Sequence, residues 1–265
     1  MIARPTGRLV LLFALTALMF SGCAFYSKLQ ARDHLNMGVK AYTSKKYDTA
    51  IEEFKTAIEL DPELIDAYLY LATAYRVQFI PFVNTAENLR MGQEALARYE
   101  EVLELDPANR NAILSMADVH RNLNEPDEAK DWYRTLMDVV PEDRAEALYG
   151  IAVIDYNLAD EKTGNAGEFV ESLEETDLED INRIVDEGIA TLKEALAINP
   201  AYTDAMEYLN LLYREKGELT DDEDEKRRWD REAMQLAQQA LKLRRQQQLD
   251  EERARREVFS KNESN

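Results

Sequence analysis

The sequence predicts an all-α fold: a right-handed α-solenoid of about five helix-turn-helix repeats closed by a C-terminal capping helix. Three observations predict it. Four segments end in an apolar-acidic run closed by proline: Ala57–Pro62, Val102–Pro107, Leu136–Pro141 and Ala195–Pro200. The Pro-to-Pro spacings are 45, 34 and 59 residues, so a period of 34 is interrupted by insertions of 11 and 25. Ahead of these runs, large and small residues recur at i, i+3, i+4 and i+7, one face of a helix. Finally, 9 Gly and 7 Pro among 265 residues are too few for the many short turns of a β sandwich.

Composition narrows the function. Hydrophobic residues make up 45% and charged residues 32%, enough to bury a core. The formal charge of −20 excludes phosphate-backbone recognition, which needs clustered Lys and Arg, so no nucleic-acid partner is expected. One Cys rules out an intramolecular disulfide, and two His argue against a multi-histidine metal site. No metal and no cofactor are expected.

The N-terminus reads as an address. Arg4 and Arg8 precede an uncharged, almost wholly apolar run of 12 residues, Leu9 to Phe20, followed by Ser21, Gly22 and Cys23. That is the layout of a secretory signal peptide over residues 1–22, and its apolar run is too short to span a bilayer. Phe20-Ser21-Gly22-Cys23 resembles the bacterial lipobox, although Phe20 stands where Leu is usual. The resemblance implies cleavage before Cys23, acylation of its thiol and new amino group, and a short lipidated tether over residues 23–30. Several acyl chains anchor stably where one does not. Ala24 rather than Asp after the cysteine points to the outer membrane by the same resemblance. Loss of residues 1–22, with two Arg and no acid, takes the charge from −20 to −22.

The repeats follow in order. The first reads His34, Met37, Gly38, Ala41, then Ala50, Phe54, Ala57, Pro62. The second reads Tyr68, Leu71, Ala72, Tyr75, then Ala95, Tyr99, Val102, Pro107. The third reads Ile113, Met116, Ala117, His120, then Ala129, Tyr133, Leu136, Pro141. The fourth reads Leu148, Ile151, Ala152, Asp155, then Gly188, Leu192, Ala195, Pro200, and the fifth Met206, Leu209, Asn210, Tyr213, then Ala233, Ala237, Ala240. Small residues beside large ones let the paired helices approach, and Pro ends each unit because it cannot continue a helix. These residues and their spacing resemble the tetratricopeptide repeat over residues 31–243, in units 31–64, 65–109, 110–144, 145–202 and 203–243. Asp155, Asn210 and Ala237 depart from that pattern.

Three insertions lengthen units two, four and five. The first contains Phe79-Ile80-Pro81-Phe82-Val83, read as a turn folded back on its own hairpin rather than an exposed docking loop, since large exposed apolar patches are rare. The second opens with Gly164-Asn165-Ala166-Gly167 and continues through Phe169, Val170 and Leu173 on a short helix. Residues 159–187 carry eleven acids and two bases, read as a solvated face rather than a lid. Thr176 and Glu179 then form a capping-box pattern. The third contains Asp221 to Glu225, acids suited to a helix N-terminus, with Thr220 and Glu223 as its capping box and Arg227 and Arg228 four residues on from Glu223 and Asp224. Trp229, Ala233, Leu236, Ala240 and Leu243 then stripe the capping helix. Residues 244–265 are a charged, solvated helical tail.

The resemblance places the first helix of each unit on a concave surface. Residues at i, i+4 and i+7 beside its packing face are Leu35, Val39, Tyr42; Leu69, Thr73, Arg76; Leu114, Asp118, Arg121; Tyr149, Val153, Tyr156; and Glu207, Leu211, Arg214. With Tyr70 and Tyr208 alongside, the candidate peptide-binding groove is Tyr42, Tyr70, Arg76, Arg121, Tyr149, Tyr156, Tyr208 and Arg214. Tyr and Arg favour binding hot spots, and an arginine ladder suits an acidic or carboxylate-ended peptide. The alternative is local: each Arg closes a helix and pairs with nearby acids. His34 and His120 occupy packing positions, and neither a phosphate-cradling glycine loop nor a nucleophile elbow is present, so no catalysis is expected.

The expected function is therefore a lipid-anchored envelope scaffold that binds protein or peptide partners and meets the membrane through its N-terminal lipid. Its architecture is similar to lipoproteins that assist outer-membrane, pilus or secretion assembly, a likeness of fold alone. The alternative is an envelope carrier or sensor holding a polymer or small ligand in the groove, for which the acidic surface favours cationic material.

Overall fold

The computed structural model describes residues 7–263 except 82, 165, 166, 168 and 169, with side chains described between 25 and 256 apart from 171. Ten α-helices carry the chain, and no strand occurs among the described residues. They are α1 (Gly7–Thr43), α2 (Tyr47–Leu60), α3 (Ile65–Arg76), α4 (Ala86–Leu105), α5 (Arg110–Asn122), α6 (Pro126–Val139), α7 (Arg144–Thr163), α8 (Glu175–Ile198), α9 (Thr203–Glu218) and α10 (Glu223–Glu263). In sequence they follow one another as five pairs, with α1 beginning ahead of residue 31 and α10 running past residue 243. Among the described residues no helix is long and apolar enough to cross a membrane.

The chain divides into two units, Met1–Glu125 and Pro126–Asn265. In the first, α1 pairs with α2 and α3 with α4, and α3 lies against both α1 and α2. The pattern residues are its core: Phe54, Ala57, Ala72, Ala95, Tyr99 and Val102 are fully buried. In the first pair the aromatic ring closes over a small residue of the facing helix. Gly38 lies so close beneath the Phe54 ring that a Cβ there would overlap it. Phe54 in turn stacks on Tyr70 of the next pair, with ring centroids 5.6 Å apart.

The stretch expected as a tether is helical. Ser27 donates through its hydroxyl to the carbonyl of Leu60, and Lys28 pairs with Glu63 at 2.8 Å. Phe25, Tyr26 and Leu29 are exposed on this helix. Residues 1–6 and the side chains of Phe20, Ser21, Gly22 and Cys23, on which the signal-peptide and lipid readings rest, lie outside the described residues.

The first insertion folds back, as its pattern suggested. Phe79 is buried, and Asn88, at 8% exposure, gathers the turn. Its Oδ1 accepts from the Ile80 amide at 2.7 Å, while Nδ2 donates to the carbonyls of Ile80 (2.8 Å) and Val83 (2.7 Å). Thr85 caps α4 by accepting from the Asn88 amide. Ile80 and Val83 remain exposed, and Phe82 is outside the described residues.

In the second unit α6 packs on α7, α7 on α8, and α9 on α7, α8 and α10. Tyr133 lies flat on Gly150, again leaving no room for a Cβ. The departures from the pattern have local explanations. Asp155, 1% exposed, takes the place of an aromatic and binds the Lys130 ammonium from α6. Burial pushes the Asp155 carboxyl up, and Lys130 works against that rise. Asn210 donates through its side chain to the Ala233 carbonyl across the α9–α10 pair. Trp229, Ala233, Leu236, Ala240 and Leu243 form the inward stripe of α10, with Ala233 and Ala240 fully covered.

Two capping expectations are corrected. Helix α8 begins one residue ahead of Thr176: Glu174 is its N-cap, in extended conformation and without a side-chain cap. The amides of Asp177 and Leu178 bond the Glu174 carbonyl instead, so Thr176 sits inside the first turn and Glu179 just beyond it. A 3₁₀ turn at Val170–Ser172 stands where the short helix is expected, and Phe169 is outside the described residues. At α10, Asp222 and not Thr220 meets the free amides, accepting from Asp224 at 2.8 Å and Glu225 at 3.2 Å. These two backbone bonds hold the Asp222 carboxyl below the usual carboxylate range. Thr220 sits just outside, accepting from the Asp222 amide and donating to Glu225. Arg227 pairs with Glu223 and Asp224, and Arg228 with Glu225 rather than Asp224.

The tail remains helical to Glu263, and its start is held. Arg244 pairs with Asp204 at 2.7 Å and with Glu207 at 2.5 Å. Side chains 245–256 are exposed.

Candidate peptide-binding groove

The candidate residues fall into both units, and the two sets behave differently. In the first unit Tyr42 meets Tyr47 edge-on at 5.6 Å, and Tyr70 rests on Phe54. Arg76 of α3 and Arg121 of α5 converge on one carboxylate. Arg76 Nη1 reaches Asp118 Oδ2 at 3.1 Å, and Arg121 Nη2 reaches Oδ1 at 2.5 Å. Asp118 thus occupies both guanidinium groups, and the local reading of these arginines describes the first unit. His34 and His120 are satisfied in the same way, by Glu53 and Glu125 at 2.7 Å each.

In the second unit the tyrosines gather. Tyr208 of α9 sits between Tyr149 and Tyr156 of α7, with ring centroids at 5.5 and 5.6 Å and near-perpendicular planes. Tyr202 closes on Tyr149 at 5.2 Å. Edge-to-face contact of this kind adds to the burial of the rings. Burial pushes the Tyr149 and Tyr156 phenols up to about 12, and the Asp160 carboxylate adds to the rise at Tyr156, whose hydroxyl donates to it at 3.3 Å.

Beside this cluster runs a cleft of about 700 Å³. Tyr156 and Asp160 of α7 form one wall. Leu211, Arg214, Glu215 and Glu218 of α9 form the floor. Asp230, Met234, Ala237, Gln238 and Leu241 of α10 form the other wall. A second, smaller recess continues along Leu211, Ala237 and Leu241 to Arg244. Met234 is 60% and Leu241 72% exposed, so this apolar wall is open. Arg214 is exposed and, among the described residues, has no carboxylate partner, unlike Arg76 and Arg121.

At the position of Ala237, the other pairs carry Phe54, Tyr99, Tyr133 or Leu192. Phe54, Tyr99 and Leu192 are fully buried, whereas Ala237 is exposed and lines the cleft. The departure at Ala237 was visible in the sequence, but its place in a cleft was not, and Asp160, Glu215, Met234 and Leu241 were missed because they lie outside the first-helix stripe. Of the eight groove candidates, only Tyr156 and Arg214 line this cleft, with Tyr149 and Tyr208 supporting Tyr156 from behind.

Comparison with known proteins agrees with the helix pairs. Residues 91–153 and 40–76 match two tetratricopeptide-repeat families, and residues 142–257 match the family described as plant-specific mitochondrial import receptor subunit TOM20. No curated protein matches the sequence. Among solved structures, a MamA protein superposes with a TM-score of 0.53 at 16% identity, over 80% of this chain and 94% of that one. MamA from Desulfovibrio magneticus RS-1 gives 0.53 at 16% identity, over 82% and 97%. The pilF protein of Pseudomonas aeruginosa gives 0.50 at 13% identity, over 81% and 78%. At these identities the likeness is one of fold.

Proposed function

We propose that this tetratricopeptide-repeat protein is a scaffold of the bacterial cell envelope, anchored by lipid on Cys23, that holds protein or peptide partners against its paired helices. Tetratricopeptide repeats and repeat-containing neighbours support a protein-interaction role. The observation that carries the reading is the open cleft of the second unit, where Met234 and Leu241 face solvent beside Arg214, which has no carboxylate partner among the described residues. The lipobox-like Phe20-Ser21-Gly22-Cys23 supports anchoring, and Ala24 favours the periplasmic face of the outer membrane. A role in outer-membrane, pilus or secretion assembly is the finer form of this proposal. A catalytic role is not part of it.

The anchor is tested by metabolic labelling with an alkynyl fatty acid and by membrane fractionation of wild type and Cys23→Ala. The proposal expects label and membrane retention in wild type only. A Cys23→Ala chain that fractionates with the membrane unlabelled but unchanged in yield sinks the lipid anchor. Enrichment of glycan without protein on the purified wild type sinks the scaffold in favour of a carrier.

A further inference from the structure

Helix α1 runs without a break through Cys23 and into the first helix pair. The body grips it almost at once. Ser27 donates through its hydroxyl to the Leu60 carbonyl at the end of α2, and Lys28 pairs with Glu63 at 2.8 Å and Asp61 at 3.8 Å in the turn that follows. Ala31, one turn on, is fully buried. A helix rises 1.5 Å per residue, so Ser27 stands about 6 Å along the axis from Cys23. Acyl chains on Cys23 would therefore hold this end of the first unit at the lipid surface, with no length of loose chain between.

The same short stretch carries an apolar face that the body leaves uncovered. Phe25 is 75%, Tyr26 61% and Leu29 51% exposed. At 3.6 residues per turn these three fall within about 100° of the helix circumference, and Ser27 and Ala31 lie on the opposite side, against the body. Beyond Leu29 the same face turns polar, with Asp33 and Asn36 exposed. The apolar patch thus ends about 9 Å along the axis from Cys23, within the 5–10 Å or so to which an interfacial helix sinks into a bilayer. Its chemistry is that of the lipid–water boundary, where aromatic rings with one polar edge collect. Charge selects the lipid. Lys28, beside the patch, is already paired with acids, and the chain from Cys23 onward carries −22, so anionic headgroups are repelled and neutral ones are not.

We propose that Phe25, Tyr26 and Leu29 make a second, non-covalent contact with the membrane, lying in the headgroup layer of zwitterionic lipid beside the acyl chains of Cys23 and fixing the orientation of the first unit on the bilayer. The inference rests on the lipid-anchor reading and makes that anchor a rigid mount instead of a leash. The bonds of Ser27 and Lys28 order the helix in advance, so little further ordering is lost on insertion.

The test uses the full acylated chain in nanodiscs of phosphatidylcholine that carries a photoreactive diazirine near its headgroup, with the sites of lipid attachment mapped by mass spectrometry. Wild type takes the label at Phe25, Tyr26 and Leu29 and not at Asp33 or Asn36. Phe25→Ser, Tyr26→Ser and Leu29→Ser together lower the label on residues 24–33 by about tenfold or more, while acylation of Cys23 and Tm are unchanged. A second readout is independent of labelling chemistry. Acylation of Cys23 leaves Lys40→Cys as the one free thiol. Energy transfer from a dye at that thiol to a headgroup acceptor gives a narrow range of distances in wild type and a broad one in the triple serine variant. Equal labelling of wild type and the triple variant, label spread evenly around the helix, or a broad range of distances in wild type overturns the proposal in favour of a leash. A dimer that the triple variant abolishes, with the stripe free of lipid label, overturns it in favour of a second copy as occupant. Wild type purified without acyl chains fails both the anchor and this inference. Acylated wild type whose stripe takes no lipid label fails this inference alone and leaves the anchor standing.

Discussion

Lys130 reaches across from α6 to bind the carboxylate of Asp155 inside the second unit, where the repeat pattern has an aromatic ring. Both side chains are withdrawn from solvent, at 12% and 2% exposure. Such a pair is a weak stabiliser in itself, but removing one partner leaves a charge in a dry core. Lys130→Met is expected to destabilise the chain by about 3–5 kcal/mol, and Lys130→Met with Asp155→Leu to recover most of it. Urea denaturation checks both. The pH dependence has a definite sign. The Asp155 carboxyl is raised above 3.8, so the folded chain holds that proton more tightly than the unfolded one. Its contribution is full below 3.8 and is lost as pH rises through the folded value, so the Lys130→Met defect grows from acid towards neutral pH.

The tyrosine cluster predicts an alkaline weakness. Tyr149 and Tyr156 keep their protons up to about 12 in the folded chain, against 10.0 when unfolded. The unfolded chain therefore loses these protons first, and stability drains away as pH rises from 10.0 towards about 12. Burial also pushes the Tyr202 phenol up, so tyrosinate absorbance, followed beside circular dichroism, should show late-titrating phenols at Tyr149, Tyr156 and Tyr202 that appear together with loss of helix in the second unit. Replacing Tyr149 and Tyr156 by Phe should remove their part of the alkaline transition.

Close packing at Gly38 predicts an overpacking defect in the first unit. Phe54 is fully buried and held on its other face by Tyr70, so its ring has nowhere to retreat from a new methyl. Gly38→Ala is expected to cost about 1–3 kcal/mol, and Phe54→Leu in the same chain to relieve part of it. Thermal denaturation of the two variants and their combination measures the coupling.

The three side-chain bonds of Asn88 predict the fate of the first insertion. Asn88→Ala strands the Ile80 and Val83 carbonyls and the Ile80 amide, costing about 1–3 kcal/mol. Limited proteolysis should then cut within residues 77–85 at protease levels that leave wild type intact. Asn88→Asp keeps the acceptor for the Ile80 amide but loses both donors, and should fall between the two.

Much of the fold was legible because the repeat writes its core at fixed spacing. Leu71, Ala72, Tyr99, Met116 and Leu192 were all read from the pattern, and all are buried. What was not legible depends on register between helices. Asp118 lies three residues before Arg121, so that pair could be anticipated. Its hold on Arg76 crosses from α5 to α3 and depends on how the pairs stack. The caps were misread for a different reason: Thr176 and Thr220 fit the motif, but each helix started where a neighbouring acid, Glu174 or Asp222, had the required backbone. The cleft was half legible. Ala237 stood out against Phe54, Tyr99 and Tyr133, but the cleft that it lines depends on the positions of Leu211 and Leu241 as well.

The central claim is that partners are held in the cleft of the second unit that Ala237 lines. Its most direct test is co-purification from crosslinked membranes, comparing wild type with Ala237→Phe and with the Arg76→Glu, Arg121→Glu pair. The account predicts a defined protein, identified by mass spectrometry, that is retained by wild type and lost from a folded, membrane-held Ala237→Phe. It also predicts retention by the arginine pair at whatever level that variant still folds. A protein that stays on Ala237→Phe and leaves with Arg76 and Arg121 would contradict it.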